Sequence, residues 1–342
     1  MNREQSAQTL NAKYPYMLPT MRSSASRIHQ STSEPEDTQK SFLKQHTMKR
    51  RRIRRVTILL CFIALSASVG WVLCNRYLVE HIHISGIVYP REVAAQSASP
   101  TAAVPSSSGL SVKRFSRGEG NNKVTYFVAD ITVANGKSFL ACFAKNEFGE
   151  NVLEKTSSMA ARVCASFAVN GDYYGFRTDG IIIRDGVLYR DAPARTGLAI
   201  YADGHMESYN EADTTGKALL RAGVWNTYSF GPALVAGGAA CAGLDQPYSV
   251  DTTDIHNKQP RTAIGMVEPN HFIIVVVDGR QTGYSCGMTF QELADVFIRF
   301  HCQVAYNLDG GKSATMYYDG NVINRPCSNY NERSISDAIC LF

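Results

Sequence analysis

The chain has 342 residues, 44% hydrophobic, 19% charged and 10% aromatic, enough for one large or two ordinary domains with a sizeable core. That composition excludes collagen, coiled coil and wholesale disorder. The net charge is +5, but residues 1–55 hold 12 Lys+Arg against 4 Asp+Glu, so the rest carries −3 and lacks the clustered basic surface that nucleic-acid binding requires.

Residues 1–48 are rich in Ser, Thr, Gln and Pro without a sustained apolar period, which predicts disorder. The tail, taken as residues 1–55, closes on Lys49, Arg50, Arg51, Arg52, Arg54 and Arg55. An uncharged, mostly apolar run follows over 56–74, and its 19 residues make a helix of about 28 Å against a hydrocarbon core of about 30 Å. The basic cluster on the N-terminal side predicts a single-pass protein of the cell membrane, with the tail cytoplasmic and everything after Asn75 outside. A cleaved signal peptide is the alternative, with Ser66, Ala67 and Ser68 as small residues for a peptidase; the long leader before the apolar run argues against it. Residues 75–109 read as an extracellular stalk, because Glu92 to Gly109 is dominated by Ala, Ser and Pro. The working domain is placed at 110–342.

Within it, β-type runs bounded by turn signals fall at Val124 to Val133, Ala165 to Asn170, Gly180 to Arg184, Gly197 to Tyr201, Ser229 to Val235, Arg261 to Val267 and His271 to Val277. Asp185-Gly186 and Asp203-Gly204 are hairpin-turn pairs that tolerate positive φ. Phe272 to Val277 is apolar without alternation, as in a strand covered on both faces. Helices are expected at Asn151 to Ala161 and at Thr289 to His301, the latter opened by a Thr289/Glu292 capping box with Leu293, Val296, Phe297 and Phe300 on one face. Strand, helix and strand over 271–308 make a β-α-β unit running into Asn307-Leu308-Asp309-Gly310-Gly311. The fold class is mixed α+β, a β-rich layered domain with a few helices behind the membrane helix.

Seven of the nine cysteines lie beyond the span, at Cys142, Cys164, Cys241, Cys286, Cys302, Cys327 and Cys340. An external compartment predicts that some are paired; no C-x-x-C is present to suggest a zinc or redox motif, and the odd total leaves at least one thiol unpaired, read as a buried core residue in preference to a catalytic nucleophile.

Four segments end a strand in polar residues and glycine: 170–175, 261–265, 278–280 and 307–316. Paired glycines let backbone amides approach an anionic oxygen, Arg261 and Arg280 offer bidentate contacts, and Asp172, Asp278 and Asp309 are candidate acids, bases or nucleophiles. Each alone has a plain structural alternative, a turn Asp-Gly or an ion-paired Arg. Gly311-Lys312-Ser313 lacks the Walker spacing, so no nucleotide or redox cofactor is expected, while a divalent metal stays open.

Taken together, Asn170-Gly171 with the aromatics Tyr173 and Tyr174, Phe230-Gly231-Pro232-Ala233-Leu234, Arg261-Thr262-Ala263-Ile264-Gly265, and Asn307-Leu308-Asp309-Gly310-Gly311 with Ser313-Ala314-Thr315-Met316 resemble the successive signatures of the phosphodiester glycosidases. The resemblance runs from about Ala165 to Asn324 and implies an external hydrolase that frees a sugar from a sugar-1-phosphodiester in a surface glycan or wall polymer. It departs at Asp172, where many members carry Gly, and at Lys312, which interrupts a commoner Gly-Gly-Gly. Under it, Arg261 and the Gly310 and Gly311 amides hold the phosphodiester. Asp309 acts at the anomeric carbon with Asp172 as second carboxylate and Asp278 in reserve. Asn170, Thr262, Arg280 and Ser313 complete the substrate-binding set. A non-catalytic glycan-binding module and a metal-dependent phosphodiesterase cutting P–O through the same carboxylates are the competing readings.

Overall fold

A computed structural model describes residues 36–89, 109–250, 253–327 and 331–342; the tail before residue 36 and nearly all of the Ala/Ser/Pro run lie outside them. The chain divides into a unit Met1–Val69 and a unit Gly70–Phe342. Helix Glu36–Tyr77 supplies the described structure of the first unit, and its last turns open the second. Its Lys40–Tyr77 portion is long and apolar enough, by length and composition, to cross a membrane. The start at Glu36 corrects the expectation of disorder up to Arg55. Residues 36–55 contain neither Gly nor Pro and are dominated by good helix formers, so the helix extends back from the apolar run.

The second unit is a mixed α+β fold. A seven-stranded antiparallel sheet runs, edge to edge, through Ala239–Ala240, Ala233–Ala236, Val304–Asn307, Arg261–Glu268, His271–Val277, Val124–Thr132 and Gly109–Arg117. A five-stranded sheet orders Asn321–Val322, Met316–Tyr318, Phe167–Asn170, Asp337–Leu341 and Leu140–Phe143. Alternation along the strands divides the apolar residues into two cores. Phe127, Ile131, Ile264, Phe272, Ile274 and Val276 face Phe167, Val169, Met316, Ile339 and Leu341 between the sheets. Val128, Ala263, Ile273 and Val275 turn the other way, onto Leu293, Val296 and Phe297 of helix Phe290–Arg299. On the outer face of the second sheet, Cys142, Ala168, Ala338 and Cys340 pack on Met159 and Ala160 of helix Thr156–Arg162. The layers are thus helix, sheet, sheet, helix.

The expected central strand His271–Val277 is buried from Phe272 onward, and Thr289 and Glu292 close the expected capping box. Because Arg261–Glu268 is antiparallel to both neighbours, His271–Val277 and Val304–Asn307 run parallel across it, joined by the helix. The run expected at Ser229 to Val235 is instead two strands, Val224–Tyr228 and Ala233–Ala236, since Gly231 takes φ 82° and Pro232 has no N–H to give a ladder.

Two further expectations are corrected. Residues 81–89, assigned to the stalk, belong to the folded unit: His81–Ile84 pairs with Phe148–Glu150, and the buried Tyr89 hydroxyl accepts from Phe143 N at 2.7 Å. All nine cysteines are unpaired; Cys142 and Cys340 sit diagonally on neighbouring strands, opposite Ala338 and Leu140, as core residues.

The contact between sheet and helix is close at Gly265, where an added Cβ would lie 2.6 Å from Phe297 Cδ1 and 2.9 Å from Cys302 Sγ. Gly265→Val is expected to destabilise the unit by about 1–3 kcal/mol through overpacking, seen as a lower urea midpoint with unchanged slope.

Candidate active site

The site forms where the two sheets meet, and a buried amide joins them. Asn170, 1% exposed at the end of Phe167–Asn170, donates through Nδ2 to the Asp309 carbonyl at 2.6 Å. Its Oδ1 accepts from Thr262 Oγ1 at 2.7 Å and from Thr315 N at 3.2 Å. The loop after Val304–Asn307 is thereby fixed to both sheets. Gly310 has to be glycine for close approach: a Cβ there would stand 2.6 Å from the Pro260 carbonyl.

Above this floor lies a cavity of about 190 Å³, lined by Asp309, Arg261, Arg280, Lys312 and Arg333 together with Tyr173 and Phe230. Asp309 is 8% exposed, and burial pushes its carboxyl up to about 6 against the pull of Ser313, Arg333, the Gly310 amide and Arg177. Asn307, also lining the cavity, is 1% exposed; its Nδ2 donates to the Gly231 carbonyl at 2.8 Å, while its Oδ1 is buried with no protein partner. Phe230 is held in place by the Tyr306 hydroxyl, which accepts from its amide at 2.8 Å. Tyr173 stacks on Phe176 at 4.6 Å, and the Arg177 guanidinium lies 5.5 Å from the Tyr173 ring and 5.7 Å from the Phe230 ring. The aromatic wall is therefore backed by a cation.

The expected residues divide into three groups. Asp309, Arg261, Arg280, Gly310 and Gly311 line the cavity, and Asn170, Thr262 and Ser313 are buried with no place in its lining. Asp172 and Asp278 are elsewhere. Asp172, 3% exposed, accepts from Tyr174 N and Ser229 N and lies 3.3 Å from Arg184 Nη2. Arg184, fully buried, also donates from Nε to Asp337 at 2.8 Å. Two carboxylates on one guanidinium leave an excess negative charge, and burial pushes Asp337 up to about 7 in spite of Arg184. Asp278 is saturated by Asn324 Nδ2, Tyr284 OH and the Arg325 amide, anchoring the 324–325 segment.

Two of the cavity groups differ from expectation in chemistry. Arg261 donates from Nε to Met288 O and from Nη2 to Ile255 O and Asn257 O, with its guanidinium 4.0 Å from the Phe290 ring. It clamps backbone carbonyls; burial, aided by Arg280, lowers it to about 9. The Gly311 amide donates to the Pro260 carbonyl at 2.9 Å, so it is not a free donor for a phosphate. Gln259, Arg177 and Arg333 are the additions that sequence reasoning missed; each arrives from a loop without a motif. Among the described residues no group of three His, Cys, Asp or Glu side chains is arranged to hold a metal ion.

Comparison with known proteins bears on the family and the fold. A family model described as phosphodiester glycosidase matches residues 164–342. A Bacillus subtilis SPbeta prophage-derived uncharacterized protein, YomE, is 32% identical over 206 residues; the match takes in 57% of this chain and only 30% of that protein's length. Among solved structures, the catalytic domain of zebrafish N-acetylglucosamine-1-phosphodiester α-N-acetylglucosaminidase, auto-inhibited by its pro-peptide, aligns with a TM-score of 0.55 at 20% identity, covering 78% of this chain and 96% of its own. A hypothetical protein from Synechocystis aligns with a TM-score of 0.52 at 12% identity, covering 71% and 64%. At these identities both structures speak to the fold alone.

The electrostatics give two expectations. Arg184→Met strands two buried carboxylates and is expected to cost at least about 3–5 kcal/mol, read as a lost or strongly shifted denaturation transition. Asp309 binds its proton more tightly folded than unfolded, so its burial weakens the fold progressively as pH rises from about 4 to about 6, and the penalty is complete above that. Asp309→Asn is therefore expected to raise stability by about 1–3 kcal/mol at pH 7.5 and to leave it nearly unchanged at pH 4, by thermal unfolding at the two pH values.

Proposed function

The chain belongs to the phosphodiester glycosidase family, and we propose that it is a hydrolase cleaving the bond between the anomeric carbon and the phosphate oxygen of a sugar-1-phosphodiester. The observation that carries this reading is a single buried carboxylate, Asp309, set among cations and aromatic rings in one small cavity. A pair of carboxylates is the usual equipment when the leaving group is a sugar hydroxyl, which needs a proton to depart. A phosphate monoester leaves far more readily, since its second pKa is about 6, and cations that neutralise the developing charge do much of what an acid does elsewhere.

In this scheme the sugar ring lies against Tyr173 and Phe230, with Arg177 behind those rings and Arg333 facing the reacting phosphate. Asp309 works in its ionised form, stabilising the oxocarbenium-like state and directing water to the anomeric carbon. The unpartnered Asn307 Oδ1 is an acceptor for a sugar hydroxyl. A cavity of about 190 Å³ encloses the reaction centre rather than a polymer, which suits a surface glycan or wall polymer lying across the opening. The N-acetylglucosamine-1-phosphodiester named for the zebrafish relative is the first substrate to try. The helix Lys40–Tyr77 serves as a single-pass anchor, and Lys49 to Arg55 keep its N-terminal side cytoplasmic, which puts the enzyme outside the cell.

A glycan-binding module without turnover is the second reading, favoured by the position of Asp172 and Asp278 outside the cavity. The two part on incubation of the purified chain with an α-N-acetylglucosamine-1-phosphodiester in ¹⁸O water, with and without chelator. Label in the free sugar is expected; label in phosphate would mean P–O cleavage, and binding without any product would mean the module. Asp309→Asn is expected to lower kcat by about 10²–10⁴-fold, and kcat/KM of the parent to rise with pH through an acidic limb near 6.

A further inference from the structure

On the reading of the site as a sugar-1-phosphodiester hydrolase, we propose that the aglycone itself carries a second phosphate, and that Lys312 and Arg280 bind it at the mouth of the cavity. The reacting diester has one negative charge, whereas four cationic side chains line the cavity against the one carboxylate of Asp309. Arg261 is spent on three backbone carbonyls, and Arg333 faces Asp309. Lys312 and Arg280 are left over, and both are exposed where Asp309, Arg261 and Asn307 are buried, so they stand at the opening. Among the described residues neither is in ion-pair contact with a carboxylate.

The two are placed rather than loose. Arg280 holds a left-handed backbone, φ 58°, which costs energy in a residue other than glycine and collects at ligand clamps. Its Nε donates to Gln259 Oε1 at 2.7 Å, orienting the guanidinium. It lies against Gly311, where a Cβ would sit at contact distance, 3.4 Å, from Arg280 Nη2. Both cations favour the ionised form of one thiol, Cys327, so their fields overlap there. A second anion next to the reacting phosphate is the ligand chemistry that such a pair selects; it belongs either to a diphosphate link or to the next unit of a repeating phosphodiester chain.

Equilibrium binding separates this from turnover. The full chain in detergent micelles, with EDTA present, is titrated calorimetrically with methyl phosphate, inorganic pyrophosphate and propane-1,3-diol bisphosphate. The better of the two bisphosphates is expected to bind at least about tenfold more tightly than methyl phosphate, the size of one good charge-assisted contact. Pyrophosphate as the better ligand identifies the diphosphate link, and the spaced bisphosphate the repeating chain. In the K312A/R280A double variant the preference is expected to fall below about threefold, while K217A, an exposed control elsewhere, keeps it. Equal binding of one and two phosphates by the parent, survival of the preference in the double variant, or its equal loss in K217A would each overturn the proposal. Failure of the hydrolase reading looks different: the preference is intact and Lys312- and Arg280-dependent, but no sugar is released from any diester.

Discussion

The carboxamide of Asn170 carries a donor and an acceptor on one rigid plane, and both ends have protein partners. Its oxygen accepts hydrogen bonds from a hydroxyl of the seven-stranded sheet and an amide of the 308–315 loop, and its nitrogen donates one to the carbonyl of Asp309. No other side chain of that length does this: aspartate would set an oxygen against the Asp309 carbonyl, and alanine would leave buried groups unpaired at about 1–3 kcal/mol each. The position of the one acid in the cavity therefore depends on an amide in the neighbouring sheet.

Around that tie the fold treats its carboxylates in two opposed ways. Asp172, Asp278 and Asp337 are supplied with guanidinium, amide or hydroxyl partners, which makes them structural. Burial raises the proton affinity of Asp309, as it does that of Asp278 and Asp337, but of these four carboxylates Asp309 alone lines the cavity. A buried carboxylate that weakens the fold is the pattern expected of a working group; on the proposed reaction the cationic oxocarbenium-like state, not the anionic substrate, would relieve it. The surplus of cations nearby is the counterpart, since like charges gathered in one cavity repel one another until an anion joins them.

Much of the architecture was legible in the chain because it is written locally. The capping box at Thr289 and Glu292, the unbroken apolar run of His271–Val277 and the glycine-bearing strand ends each state their conformation within a few residues. The site was legible only in part, for the opposite reason. Whether Asp172 is catalytic or structural turns on Arg184 and Asp337, brought to it by other strands, and nothing around residue 172 announces them. Arg261 looked like a phosphate ligand because an arginine before a strand has that potential; its carbonyl partners come from loops at 255–257 and 288. Arg177 and Arg333 reach the site by tertiary packing, and the C-terminal strand Asp337–Leu341 is too short for periodicity to single out among apolar fragments.

The segment between the N-terminal helix and Tyr89 is stitched into the domain by strand pairing with Phe148–Glu150, by Ile87 N on the Asn146 carbonyl, and by Tyr89 between Ala141 and Phe143. Covalent continuity through residues 90–108 is thus not what alone joins the helix to the rest of the fold. A protease cutting once anywhere in that stretch would produce two fragments that still travel together, separating only in denaturant. Freeing this domain from the N-terminal helix would call for a cut before residue 81, on the helix side of the strand.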